Sequence, residues 1–66
     1  MNFITFNETI VNTHYIKYIE KLTGVGQHIN EYAIKMYLDN TVLYEWYDDK
    51  DERDLSFRNL EIILKR

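Results

Sequence analysis

The stretch Glu31 to Tyr47, E-Y-A-I-K-M-Y-L-D-N-T-V-L-Y-E-W-Y, constrains this chain more than any other, because Asp39-Asn40 separates two runs of β-branched, aromatic and aliphatic residues. Asp and Asn tolerate the left-handed backbone angles of a two-residue turn, so the stretch reads as a β-hairpin. With Asp39 and Asn40 as the loop, Leu38 lies opposite Thr41, and counting outwards pairs Met36 with Leu43, Ile34 with Glu45 and Tyr32 with Tyr47. The other face then carries Tyr37 with Val42, Lys35 with Tyr44 and Ala33 with Trp46. Ile34, Met36, Leu38 and Leu43 are aliphatic and mostly adjacent, which makes theirs the core face. Tyr37, Val42, Tyr44 and Trp46 are left on a second face that is unusually aromatic for plain solvent exposure. A one-residue slip would swap Val42, Tyr44 and Trp46 into the core beside Ile34 and Met36, yet in either register both faces are more apolar than a one-sided sheet requires.

Sixty-six residues make one domain, 1–66, and a chain this short buries only about 60% of its unfolded surface. Small scaffolds usually need a staple. Cysteine is absent, so neither a disulfide nor a thiolate zinc site is available, and His14 and His28 are the only imidazoles. Self-association or a protein partner remains as the staple, which fits the two-faced hairpin. No signal-like or membrane-length apolar run is visible, so the expected setting is cytoplasmic, without membrane contact. A net charge of −3 argues against nucleic-acid binding and against acidic partners in general, since those rely on clustered Lys and Arg.

Before the hairpin, Met1 to Thr13 reads as a second one turning at Asn7-Glu8, with Ile4 opposite Val11 and with Phe3, Thr5 and Ile10 on the opposite side. Ile16 and Ile19 are three apart, which does not suit one uninterrupted strand of period two. A short turn at His14 to Ile16 running into a strand from Lys17 to Leu22 explains the spacing. Thr23 to Asn30 holds both glycines, Gly24 and Gly26, and reads as a loop. After Tyr47 the chain changes to D-D-K-D-E-R-D, a helix-entry pattern in which Asp49 caps and Glu52 can reach back. A helix is expected from about 50 to 65, acidic at its start and basic at Lys65 and Arg66, with Phe57, Leu60, Ile63 and Leu64 as its core stripe. Leu55 and Ile62 fall to one side of that stripe, an apolar arc too wide for a helix resting on a single sheet face. The expected class is therefore α+β: an antiparallel β-meander of about five strands packed by one C-terminal helix.

No nucleophile and base constellation stands out, and the acidic run lies where carboxylates cap and solubilise a helix, so the chain reads as a non-enzyme with no cofactor and no metal. Gly24-Val25-Gly26 lacks the third glycine, the preceding parallel strand and the following helix of a dinucleotide site. Tyr15, Tyr18, Lys17, Lys21, Lys35, Tyr37, Tyr44 and Trp46 could form a stacking platform for single strands, but the negative charge and the sparse cations disfavour it. The same aromatics serve better as a protein contact surface, since Tyr and Trp are enriched where interfaces concentrate their energy. The interaction residues so marked are Tyr37, Tyr44, Trp46, Leu55 and Ile62. An alternative uses Asp48, Asp49, Asp51, Glu52 and Asp54 as a mimic of phosphate spacing, making the chain an acidic inhibitor of a nuclease, CRISPR effector or polymerase.

Ile10 to Lys21 (I-V-N-T-H-Y-I-K-Y-I-E-K), Leu38 to Asn40 (L-D-N) and Asp51 to Leu60 (D-E-R-D-L-S-F-R-N-L) give the chain a resemblance to a loose class of small uncharacterised bacterial and prophage proteins built as a β-meander followed by one helix. The resemblance implies that fold and a phage or mobile-element setting, and carries no catalytic residue across. Together these expectations describe an interaction module, self-associating or binding a host or phage protein.

Overall fold

The computed structural model describes residues 2–25 and 28–65. It contains five antiparallel strands, a single turn of 3-10 helix and one α-helix: β1 (Phe3–Phe6), β2 (Thr9–Asn12), the 3-10 turn (Thr13–Tyr15), β3 (Ile16–Val25), β4 (His28–Leu38), β5 (Val42–Tyr47) and α1 (Lys50–Leu64). The strands follow one another as a meander, but they form two sheets, β1-β2 and β3-β4-β5.

The central hairpin takes the register expected from its turn. Tyr37 faces Val42, Met36 faces Leu43, Lys35 faces Tyr44 and Tyr32 faces Tyr47, and the Leu38 amide donates to the Thr41 carbonyl across the loop at 2.9 Å. Period-two alternation therefore sends Ile34 and Met36 inward, where both are fully buried. The N-terminal hairpin also pairs as expected, Ile4 with Val11 and Thr5 with Ile10. Its turn residues Asn7 and Glu8 have φ of 49° and 61°, the left-handed pair that matches strand twist in a two-residue hairpin.

Three local expectations need correction. The third strand starts at Ile16, not Lys17, because a register shift between Ile16 and Tyr18 absorbs one residue. With Lys17 as the extra residue, both Ile16 and Ile19 reach the core, which resolves their spacing without ending the strand. The expected loop at Thr23 to Asn30 is shorter, since β3 runs to Val25 and β4 begins at His28; Gly26 and Gln27 lie outside the described residues. Gly24, with φ of 64°, instead sits at a second irregularity between Thr23 and Val25, where a left-handed residue without Cβ bends the strand. On the helix, Phe57 and Leu60 pack inward as expected, whereas Ile63, 41% exposed, and Leu64 lie outside the core cluster. The helix ends at Leu64 with Lys65 as its cap, and Arg66 lies outside the described residues.

The core is Phe6, Val11, Ile34, Met36 and Leu60, bordered by Ile4, Ile16, Ile19, Leu38, Leu43, Tyr47 and Phe57. One sheet face, one side of the small hairpin and one stripe of the helix thus close on each other. Fully burying each large apolar side chain contributes about 1.5–3 kcal/mol before the entropy of ordering is subtracted. Two polar joints orient the layers. Glu45 on β5 accepts from the Asn7 amide and from the Tyr47 hydroxyl, while the Asn7 side chain donates to the Tyr44 carbonyl at 2.8 Å; these bonds hold the N-terminal hairpin against the β5 edge. At the opposite side of the sheet, Arg53 is only 3% exposed and donates to the Leu22 carbonyl at 2.8 Å and to Thr23 Oγ1 at 3.3 Å. Its guanidinium lies 5.3 Å from the Tyr32 ring centre, so the first turn of the helix is fixed to the end of β3.

Met36→Ala should cost about 2–5 kcal/mol in denaturant unfolding, whereas Leu55→Ala, on exposed surface, should stay within about 0.5 kcal/mol of the parent. Glu8→Gly should raise stability by about 0.5–1 kcal/mol, because a left-handed non-glycine residue is replaced where glycine pays no steric penalty; an unchanged or lower melting temperature would contradict this account of the turn.

Candidate functional site

Alternation along β3, β4 and β5 places nine side chains on the sheet face that points away from the helix. Tyr18, Tyr37 and Val42 form one row across the strands, Glu20, Lys35 and Tyr44 the next, and Leu22, Ala33 and Trp46 the third. Ala33 is fully buried there, shaded by its larger row neighbours. The others form a connected field. Tyr18 and Tyr37 stack with ring centres 4.0 Å apart, and Tyr44 and Trp46 are nearly parallel, 6° between planes at 6.1 Å. Lys35 joins the two pairs, its Nζ 4.6 Å from the Tyr37 ring centre and 5.5 Å from that of Tyr44. Contacts with Tyr37, then Tyr44, raise the Lys35 pKa above its ordinary value. The Tyr37 hydroxyl donates to Glu20 Oε1 at 3.0 Å.

This face remains open although the core is closed without it. Tyr18 is 54% and Tyr44 37% exposed, and Val42 is exposed as well, while Tyr37 and Trp46 are half-buried. Rings held by neighbours have already lost much of their rotamer freedom, which lowers the entropy lost on binding. Tyr37, Tyr44 and Trp46, singled out from the sequence, are therefore brought together. Leu55 and Ile62 are not: they are 62% and 51% exposed, two helical turns apart on α1, a helix that packs against the other face of the sheet. Tyr18, which the sequence groups with these aromatics only as part of a candidate stacking platform, is brought to this face by its pairing with Tyr37. Phe3 and Ile10 are also exposed, and the outward side of the N-terminal hairpin is where the pairing puts them.

The acidic run is a helix start. Asp49 Oδ1 accepts the Asp51 amide at 3.0 Å as the N-cap. Asp54 receives Arg53 Nε at 2.7 Å and lies near Lys21 and Lys50, and these cations, Arg53 foremost, hold its carboxyl below the ordinary value. Arg53 itself was hidden in the sequence. D-E-R-D looks uniformly solvated, but a guanidinium is weakly hydrated and carries five donors that can be satisfied inside a fold.

A cleft of about 520 Å³ is lined by Asn2, Phe3, Ile4, Thr13, His14, Ile63 and Leu64. Within it the Thr13 amide and hydroxyl both donate to the Asn2 carbonyl. Among the described residues, no three His, Asp or Glu side chains converge as a metal site, and no helix is long and apolar enough to cross a membrane. Set against protein-family models, curated proteins and solved structures, the chain matches none.

Tyr47, beside Glu45 at the join of the two sheets, gives the fold an alkaline limit. Burial, then its hydrogen bond to Glu45, pushes its phenol from 10.0 up to about 12. The raised value favours the protonated folded form, so its stabilising contribution is complete below pH 10 and is lost as the pH climbs towards 12. Thermal unfolding followed between those limits should show stability falling, and Tyr47→Phe should fall less steeply; equal slopes would remove Tyr47 as the cause.

Proposed function

We propose that this protein is a non-catalytic protein-interaction module that docks through the open aromatic face of β3-β4-β5. The carrying observation is that Tyr18, Tyr44 and Trp46 lie outside the core cluster of Phe6, Val11, Ile34, Met36 and Leu60, on a sheet face opposite the helix. A small chain gains little from holding ordered aromatics in water, whereas interfaces gain most from such rings. The net charge of −3 and the carboxylate of Glu20 within the face favour a protein over a nucleic-acid strand as occupant. The resemblance to small bacterial and prophage proteins supports action on a host or phage protein in the cytoplasm. The acidic-inhibitor reading has less support, since Asp49 is occupied in capping and Asp54 lies among cations.

Site-specific photocrosslinking in cells that carry the gene tests the reading. A photoreactive residue at Tyr44 should give adducts heavier than the 8.1 kDa chain, and the same residue at Asn59 on the helix should give far fewer. Adducts confined to Asn59, or none from Tyr44, would overturn the assignment of this face.

A further inference from the structure

We propose that the sheet face is self-complementary and that its occupant is a second copy of the chain, packed face to face across a two-fold axis running along the strands between β3 and β4. The inference rests on the reading of this face as an interaction surface and names what covers it.

Its warrant is the placement of two opposite charges. Glu20 and Lys35 are direct partners on the β3-β4 ladder, yet no ion pair joins them within the chain. Glu20 is engaged by the Tyr37 hydroxyl, and the Lys35 ammonium is drawn over the rings of Tyr37 and Tyr44. One carboxylate and one ammonium therefore stand side by side amid aromatic surface. A two-fold axis along the strands, midway between β3 and β4, lays each β3 on the β4 of the other copy without changing the row. Tyr18 then meets Tyr37 of the second copy, Leu22 meets Ala33, and Glu20 meets Lys35 twice over. An axis through the centre of the face would instead set Lys35 on Lys35, and one lying across the strands would set Glu20 on Glu20 as well, and like charges so placed are costly. An axis between β4 and β5 would set Lys35 on Tyr44 and leave Glu20 unopposed, so of these arrangements only the axis between β3 and β4 joins opposite charges.

The same offset leaves β5 outside the overlap. Tyr44 and Trp46 of each copy then project past β3 of the other, a ten-residue edge strand of the sort that proteins commonly cover. The interface is small. The two strands that overlap, spaced about 4.8 Å apart and about six residues long, span roughly 10 by 20 Å, well under the ~800 Å² per partner of a standard complex. The dimer is accordingly weak and depends on concentration.

Sedimentation velocity on the full chain, from about 10 µM to about 1 mM to cover weak association, tests it. The mass of the parent should rise from 8.1 kDa towards twice that value. Glu20→Lys and Lys35→Glu should each weaken association about tenfold or more. An equimolar mixture of the two variants should dimerise again, because every contact between positions 20 and 35 then joins Lys to Glu. Mutual rescue is the decisive arm, since two merely misfolded variants would not restore each other. A parent that stays monomeric throughout, single reversals that dimerise like the parent, or a mixture that stays apart would each overturn the arrangement. If the parent stays monomeric while Tyr44 still crosslinks to a different protein, the second-copy inference falls and the interaction module stands; if both tests fail, both fall.

Discussion

The two-residue turn at Asp39-Asn40 decides which side chains of the sheet face water. Because strand side chains alternate with a period of two, the pairing of Leu38 with Thr41 commits the rest of β4 and β5 to one arrangement. Ile34, Met36 and Leu43 turn towards the helix, and Tyr37, Tyr44 and Trp46 turn away. A slip of β5 by one residue would bring Val42, Tyr44 and Trp46 inward beside Ile34 and Met36, where the interior is already closed. The turn therefore defines both the core and the surface that remains outside it.

Around that sheet the fold is joined by a few polar contacts at its margins and by apolar packing at its centre. Glu45 connects the N-terminal hairpin to β5, and Arg53 connects the helix to the end of β3. Arg53 uses its charge inside the fold rather than in water, which is costly unless its donors are matched, while Glu45 is only half-buried. No buried side-chain nitrogen or oxygen among the described residues lacks a partner. In so small a molecule such joints set the angle between layers that apolar contact alone leaves loosely defined.

The open face is an ordered surface, with a lysine held between two aromatic pairs and a carboxylate held by a tyrosine hydroxyl. That order distinguishes it from the helix surface at Leu55 and Ile62, two exposed aliphatic residues one above the other. Scattered aliphatic exposure is common on small proteins, whereas rings held parallel and stacked present a preformed shape to a partner.

The sequence by itself determined the elements and most of the pairing. Asp39-Asn40 and Asn7-Glu8 set two hairpins, Asp49 set the helix start, and the apolar periods set which elements exist, because all of these act over a few neighbouring residues. Only the tertiary structure decided the rest. Tyr18 joins the aromatic face through its pairing with Tyr37, and an irregularity at Lys17 restores the phase between Ile16 and Ile19, an accommodation enforced by a core that accepts both isoleucines. Arg53 is buried because β3 ends where its guanidinium can reach a carbonyl and a hydroxyl, and no local pattern encodes a contact thirty residues away. Ile63 stays exposed because the hairpin and sheet leave room for Phe57 and Leu60 but do not close over the last turn of the helix. Local steric and hydrogen-bonding preferences can be seen in neighbouring residues, but burial depends on what the remainder of the chain brings alongside.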